Sequence, residues 1–209
     1  MADRPHFCPE DAMHDDLGPL TVHRRKGDEP LTAVGQPVGT LGGFWSWACS
    51  DLASNTMRGV LAEYIVATAI GAAEGTRTEW DSVDIRTPDG TRVEVKSSAY
   101  LQSWAQGKLS EITFNIAPAL GWDGQTGASS TEALRNSDVY VFCVLHHLDK
   151  RTLDPLDLDQ WTFHVLATRV LDERCERQKT ISLASLLRLG PLQTDFAGLA
   201  KSVAVCTAG

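Results

Sequence analysis

The stretch that most limits how this chain can fold is DVYVFCVL (138–145), whose apolar character is continuous after Asp138. A run with no face to show to water reads as a strand covered on both sides. It is far shorter than the roughly 20 apolar residues that cross a bilayer. A strand of this kind needs helices above and below it, and the sequence offers them. The segment NTMRGVLAEYIVATAIG reads as one: Asn55 can cap it, Gly71 can end it, and its interior is apolar on nearly every side, so it too must be buried.

The remaining elements follow from period and punctuation. Residues 1 to 43 are rich in Pro, Gly and charge, end in GQPVGTLGG, and read as an irregular arm ahead of a single domain over 44–209. Phe44, Trp45 and Trp47 begin ordered structure, as core packing or as a contact surface. TEWDSVDIRT and TRVEVKSSA read as strands joined by Pro88-Asp89-Gly90, with ITFNIAP (112–118) as the third strand of an antiparallel meander. SSTEALRNS (129–137) reads as a second helix, QWTFHVLATRV (160–170) as a strand, and ISLASLLRL and DFAGLAKSVAV as short covering helices. The expected class is α/β, a mixed β-sheet flanked by helices with an αβββαβ core.

Chemistry concentrates on the strand Thr91 to Ser97. Val93 and Val95 point to one face, and Arg92, Glu94 and Lys96 to the other. Alone, an E-x-K pattern is a solvated strand face. The turn changes its meaning. Pro88 suits the first central position of a type I turn and Gly90 the left-handed residue of a three-residue loop, which sets Thr87 opposite Thr91 and Asp84 opposite Glu94. A two-residue Asp89-Gly90 loop would bring Asp81 to that face instead, but would pull Pro88 into the ladder, where it lacks an N–H. Asp84 is preferred, with Asp81 as the alternative.

Opposed carboxylates repel and call for a cation. Glu63 falls on the apolar side of its helix, where it either pairs with Lys or Arg or reaches the pocket shared by the strand acids. Acids and a carbonyl beside a lysine are hard oxygen donors of the kind that suit Mg2+, with Mn2+ as a substitute.

Asp84, then Glu94-Val95-Lys96 on the adjoining strand, preceded by Glu63 on a buried helix, resembles the PD-(D/E)XK nuclease superfamily, the restriction-endonuclease-like proteins. The likeness covers residues 55 to 146, and EVKSSAYLQSW resembles a bacterial group of that kind. It implies a metal-dependent endonuclease hydrolysing phosphodiester bonds in DNA, in a restriction, defence or repair setting. It also implies that Asp84, Glu94 and the Val95 carbonyl hold the metal, Lys96 serves the attacking water, and Glu63 supports the site. Ser98 and Gln102 follow Lys96 at even intervals and line the same site if the strand runs on unbent. Two departures stand out: Val83-Asp84 replaces Pro-Asp, and Tyr100 and Gln102 do not reproduce the Gln-x-x-x-Tyr motif of one branch.

Composition sets bounds on that reading. The formal charge of -8 over 209 residues argues against a broad electrostatic grip on nucleic acid, and so keeps open a catalytically inactive nuclease-fold module that binds nucleic acid or a protein partner. The five cysteines form no C-x-x-C pair, and His6, Cys8 and His14 match no zinc spacing. Cys143 reads as an inert core thiol, and Trp104 and Trp122 as packing or as base-stacking surfaces. A reduced, soluble, cytoplasmic protein is expected, without a membrane partner, and cutting a duplex would suit a homodimer.

Overall fold

The structure, a computed structural model, describes residues 20–78, 81–123 and 128–208. Along the chain, β1 (Pro30–Ala33) and β2 (Gln36–Thr40) form a hairpin and α1 (Leu41–Cys49) follows. Next come α2 (Asn55–Ala69), β3 (Ile85–Arg86), β4 (Arg92–Ala99) and β5 (Thr113–Asn115). A second hairpin, β6 (Ala119–Asp123) and β7 (Ala128–Leu134), leads to β8 (Val139–Leu145) and β9 (Trp161–Ala167). The chain finishes with α3 (Thr168–Cys175), β10 (Thr180–Ser182), α4 (Leu183–Arg188), β11 (Leu192–Thr194) and α5 (Leu199–Thr207).

Five strands make the central sheet in the order β11-β9-β8-β4-β3. β4 and β8 run parallel, from Val93 beside Val139 to Ala99 beside Leu145, while the other pairs are antiparallel. The sheet is therefore mixed. Every residue of β8 is buried, as its unbroken apolar run requires. On one face Val93, Val95, Val141 and Phe163 pack with α2 and α5. On the other, Tyr140, Phe142, Val144 and Leu166 pack with β5, α3 and α4.

Four expectations are corrected. The 112–118 strand does not complete a meander: β5 pairs with β10 in a separate two-stranded ribbon. The helix expected over 129–137 is instead the strand β7 paired with β6, so the order αβββαβ is not followed at that point. Consecutive Ser129, Ser130 and Thr131 are poor helix formers because their hydroxyls compete for backbone groups, and Ser130 Oγ indeed donates to Glu132 O at 3.0 Å. The arm up to residue 43 is not irregular throughout, since residues 30 to 40 form the first hairpin. Its two-residue loop, Val34 (φ 52) and Gly35 (φ 75), has the positive φ angles of a type I′ turn, which suits strand twist. Finally, α2 is capped by Ser54, whose Oγ accepts from the Met57 N–H, and Asn55 instead accepts from Arg58 Nη2 at 2.7 Å. Gly71, at φ 70, does end that helix. His6, Cys8, His14 and the side chain of Trp122 lie outside the described residues.

The β6–β7 hairpin is fastened to the core by Arg135, whose side chain is only 2% exposed. Its Nε donates to Ile116 O at 2.9 Å and its Nη1 to Asp172 Oδ1 at 2.8 Å. Replacing it leaves a buried carbonyl without a donor. Arg135→Met is expected to lower unfolding free energy by about 2–4 kcal/mol. Urea denaturation with an unchanged midpoint would contradict this anchoring role.

Candidate active site

The hairpin between β3 and β4 sets the geometry. Ile85 pairs with Val93 and Arg86 with Arg92, the Thr87 N–H donates to Thr91 O at 3.0 Å, and Gly90 sits at φ 90. This is the three-residue loop, so Asp84 is level with Glu94. β3 begins only at Ile85, so beyond Val93 the β3-side edge of β4 has no paired strand among the described residues. Asp84 fills part of that edge, its Oδ2 accepting from the Val95 N–H at 2.7 Å. The carbonyl of a strand residue projects to the same side as its N–H, so the Val95 oxygen belongs to this edge as well.

Glu94 and Lys96 point to one face of β4, level with Tyr140 and Phe142. Lys96 Nζ lies 2.5 Å from Glu94 Oε1 and 4.0 Å from Asp84 Oδ2. The structure thus brings together two carboxylates and one ammonium, all between 19% and 28% exposed. Burial raises the pKa of Glu94; Lys96 pulls it down, Asp84 pushes it up again, and the net direction is up. Burial alone would lower Lys96, but the charges of Glu94 and Asp84 outweigh it and the ammonium is held more firmly. One cation thus faces two acids, and negative charge remains in excess.

Of the other expected residues, Asp81 and Glu63 line the same cleft as Asp84 but are each held by an arginine. Asp81 is gripped by Arg86, Nε to Oδ2 and Nη2 to Oδ1 each at 2.9 Å, and this guanidinium holds its carboxyl below the usual carboxylate range. Glu63 accepts from Arg77 at 2.5 and 3.1 Å, which is the ion pair its helix position allowed for. Ser98 is buried on the Lys96 face. Gln102 does not continue that line, because β4 ends at Ala99. Its amide is held by Arg58, the Ala99 carbonyl and Ser110 in a buried network. Cys143 is fully buried, and burial pushes its thiol pKa up, which fits a core residue.

A cleft of about 900 Å³ opens between α1, α2 and β3, lined among others by Glu63, Asp84, Trp45 and Tyr64. Asp84 therefore joins the edge of the sheet to an open cavity. The partners Arg77 and Arg86, and Tyr64 of the aromatic wall, were not singled out from the sequence, whereas Trp45 was, as core packing or a contact surface. An arginine whose carboxylate lies 14 residues away carries no local signal, whereas Arg86 five residues beyond Asp81 is the kind of spacing a turn can close.

Among the described residues no three His, Cys, Asp or Glu side chains cluster closely enough to hold a metal ion. The donor set at the edge of β4 is smaller, Asp84 and Glu94 with a main-chain carbonyl, all hard oxygens with one unit of charge left uncompensated by Lys96. That chemistry fits a divalent cation of the magnesium type.

No helix among the described residues is long and apolar enough to cross a membrane. No curated protein matches the chain. The family model for bacteriophage T4 endonuclease IV matches residues 47–185, a span that holds α2, β3, β4, β8 and β9 with Glu63, Asp84, Glu94 and Lys96. With well over half of its 209 residues inside that match, the chain belongs to the bacteriophage T4 endonuclease IV family, a family of nucleases.

Proposed function

We propose that the protein is a metal-dependent DNA endonuclease of the PD-(D/E)XK type, hydrolysing phosphodiester bonds at the open edge of β4. The observation that carries this reading is the convergence of Asp84, Glu94 and Lys96, with the ammonium 2.5 Å from one acid and 4.0 Å from the other. The endonuclease family supplies the reaction class, and the site supplies the residues. Asp84, Glu94 and the Val95 carbonyl would hold Mg2+, for which Mn2+ can substitute; when bound, it supplies charge neutralisation at the phosphate and a more acidic attacking water. Lys96, fixed by the two carboxylates, donates hydrogen bonds to that water or to the developing charge on the phosphate. Asp84 is oriented by its bond from the Val95 N–H, so its second oxygen is free to face the cleft. Glu63, held by Arg77 in the same cleft, contributes negative potential at Glu94 and Lys96 without contacting either acid.

Assays on plasmid and linear DNA with Mg2+ or Mn2+ test this directly. Lys96→Ala and Asp84→Asn are each expected to lower the cleavage rate by about a hundred-fold or more. Asp81→Asn is expected to keep most of the activity, because Asp81 is committed to Arg86. Equal losses at 81 and 84 would move the metal to the other aspartate, and absence of cation-dependent cleavage by the parent protein would leave only a binding module.

Stability gives an independent readout. A saturating divalent cation raises Tm, by the equivalent of about 2.7 kcal/mol at a hundred-fold excess over Kd. Glu94 has its pKa raised on folding, so its stabilising contribution is present below the unfolded value and is lost as pH rises through the folded one. At neutral pH its charge therefore opposes folding when no metal is bound. Glu94→Gln is expected to be at least as stable as the parent in chelator at neutral pH, yet to show no rise in Tm with Mg2+. A variant that melts lower in chelator and still responds to Mg2+ contradicts both halves of this account.

A further inference from the structure

Charge cannot be what holds a polyanion in this cleft. The chain carries a formal -8, and among the described charged side chains lining the cleft, the acids Glu63, Glu74, Asp81 and Asp84 outnumber the arginines Arg24, Arg77 and Arg86. Two of those arginines already hold carboxylates, Arg77 with Glu63 and Arg86 with Asp81. Yet the same cleft exposes two aromatic rings, Trp45 at 41% and Tyr64 at 56%, in a cavity it shares with Asp84. Aromatic side chains left open to water together in one cleft are the kind of surface that marks a ligand-binding groove.

The ring of Trp45 is presented by a built element. Helix α1 has no buried residue of its own, so packing against the core does not explain its place. It is pinned by backbone instead: the Leu41 N–H donates to Glu29 O at 2.9 Å and the Gly42 N–H to Gly27 O at 2.7 Å. A Cβ on Gly42 would lie 2.9 Å from that Gly27 oxygen, so only glycine permits the approach. Arg24 fastens the preceding segment to the loop after α2 through Ala73 O at 3.1 Å. Tyr64 stands on α2 one residue beyond Glu63, and both line the same cleft.

Building on the nuclease reading above, we infer that Trp45 and Tyr64 form a stacking subsite for a nucleobase of the substrate, and that this contact, rather than phosphate neutralisation, supplies most of the binding strength. Every base has a π face, so stacking on an aromatic ring needs no positive potential. Its signature is a weak dependence on salt, since few condensed counterions are released when few phosphates are neutralised. Trp45 and Tyr64 hold the strand beside the scissile phosphate and touch none of the reacting atoms.

The test measures binding of a fluorescein-labelled oligonucleotide in Ca2+ across a KCl series, together with cleavage kinetics in Mg2+. Trp45→Ala is expected to weaken binding by between about 5- and 150-fold, with Tyr64→Ala in the same range. Trp45→Phe should recover most of the loss, and Trp47→Ala, on α1 but outside the cleft, should match the parent. KM should rise with kcat little changed, and the salt slope should be shallow in the parent and unaltered by either substitution. Unchanged affinity in Trp45→Ala, a steep salt slope, or no binding of DNA or RNA by the parent overturns the inference. If the parent cleaves but Trp45→Ala is silent, only the stacking subsite falls. If the parent binds through Trp45 and never cleaves, the metal-site reading falls and the subsite stands.

Discussion

Everything at the candidate site depends on the parallel pairing of β4 with β8. Seven consecutive residue pairs, from Val93 beside Val139 to Ala99 beside Leu145, lock β4 against a strand with no freedom to turn, because β8 is buried on both faces. A slip of one residue would drive Glu94 and Lys96 into the apolar layer with α2 and α5, at a cost no carboxylate can meet without a partner. The register is therefore held by hydrophobic burial, and the polar chemistry is carried along with it. One edge of β4 is fully paired in this way, whereas the other is covered by β3 for only two residues. The site occupies the part of that edge left open.

Electrostatics then divides the acids of this region into two kinds. Asp81 and Glu63 are each matched one to one by an arginine, with two hydrogen bonds apiece. Asp84 and Glu94 share a single lysine. The matched pairs are satisfied and add little beyond shape, as partly exposed ion pairs generally do. The unmatched pair carries one carboxylate more than its lysine offsets, and that imbalance is what marks it as the candidate site.

Much of this was readable in the residue order, and the reasons are local. The turn Pro88-Asp89-Gly90 is short enough for its own stereochemistry to fix which aspartate stands across from Glu94, and the alternation Val93, Glu94, Val95, Lys96 fixes which side chains share a face. β8 was legible because seven apolar residues admit few surroundings. The crossover between β4 and β8 was not legible. A helix is the usual connection for a parallel pair, and the polar 129–137 stretch was read that way, but its Ser-Ser-Thr run pairs with β6 in a hairpin whose partner strand has no periodic mark of its own. The partners of Glu63 and Gln102 were hidden for a related reason. Arg77 and Arg58 reach them through the fold, at separations of 14 and 44 residues, which no pattern of spacing encodes.

The parallel pair also orders events in time. Asp138 grips Arg92 from 46 residues further along the chain, and β4 gains its neighbour only when that later stretch exists. Long-range closure of this sort is slow compared with helix formation. On the ribosome, Glu94 and Lys96 thus emerge well before the strand that will hold them in line, and nascent fragments ending short of Leu145 lack the full length of that partner strand. The two carboxylates and the ammonium are thus brought into line only after most of the chain has been made.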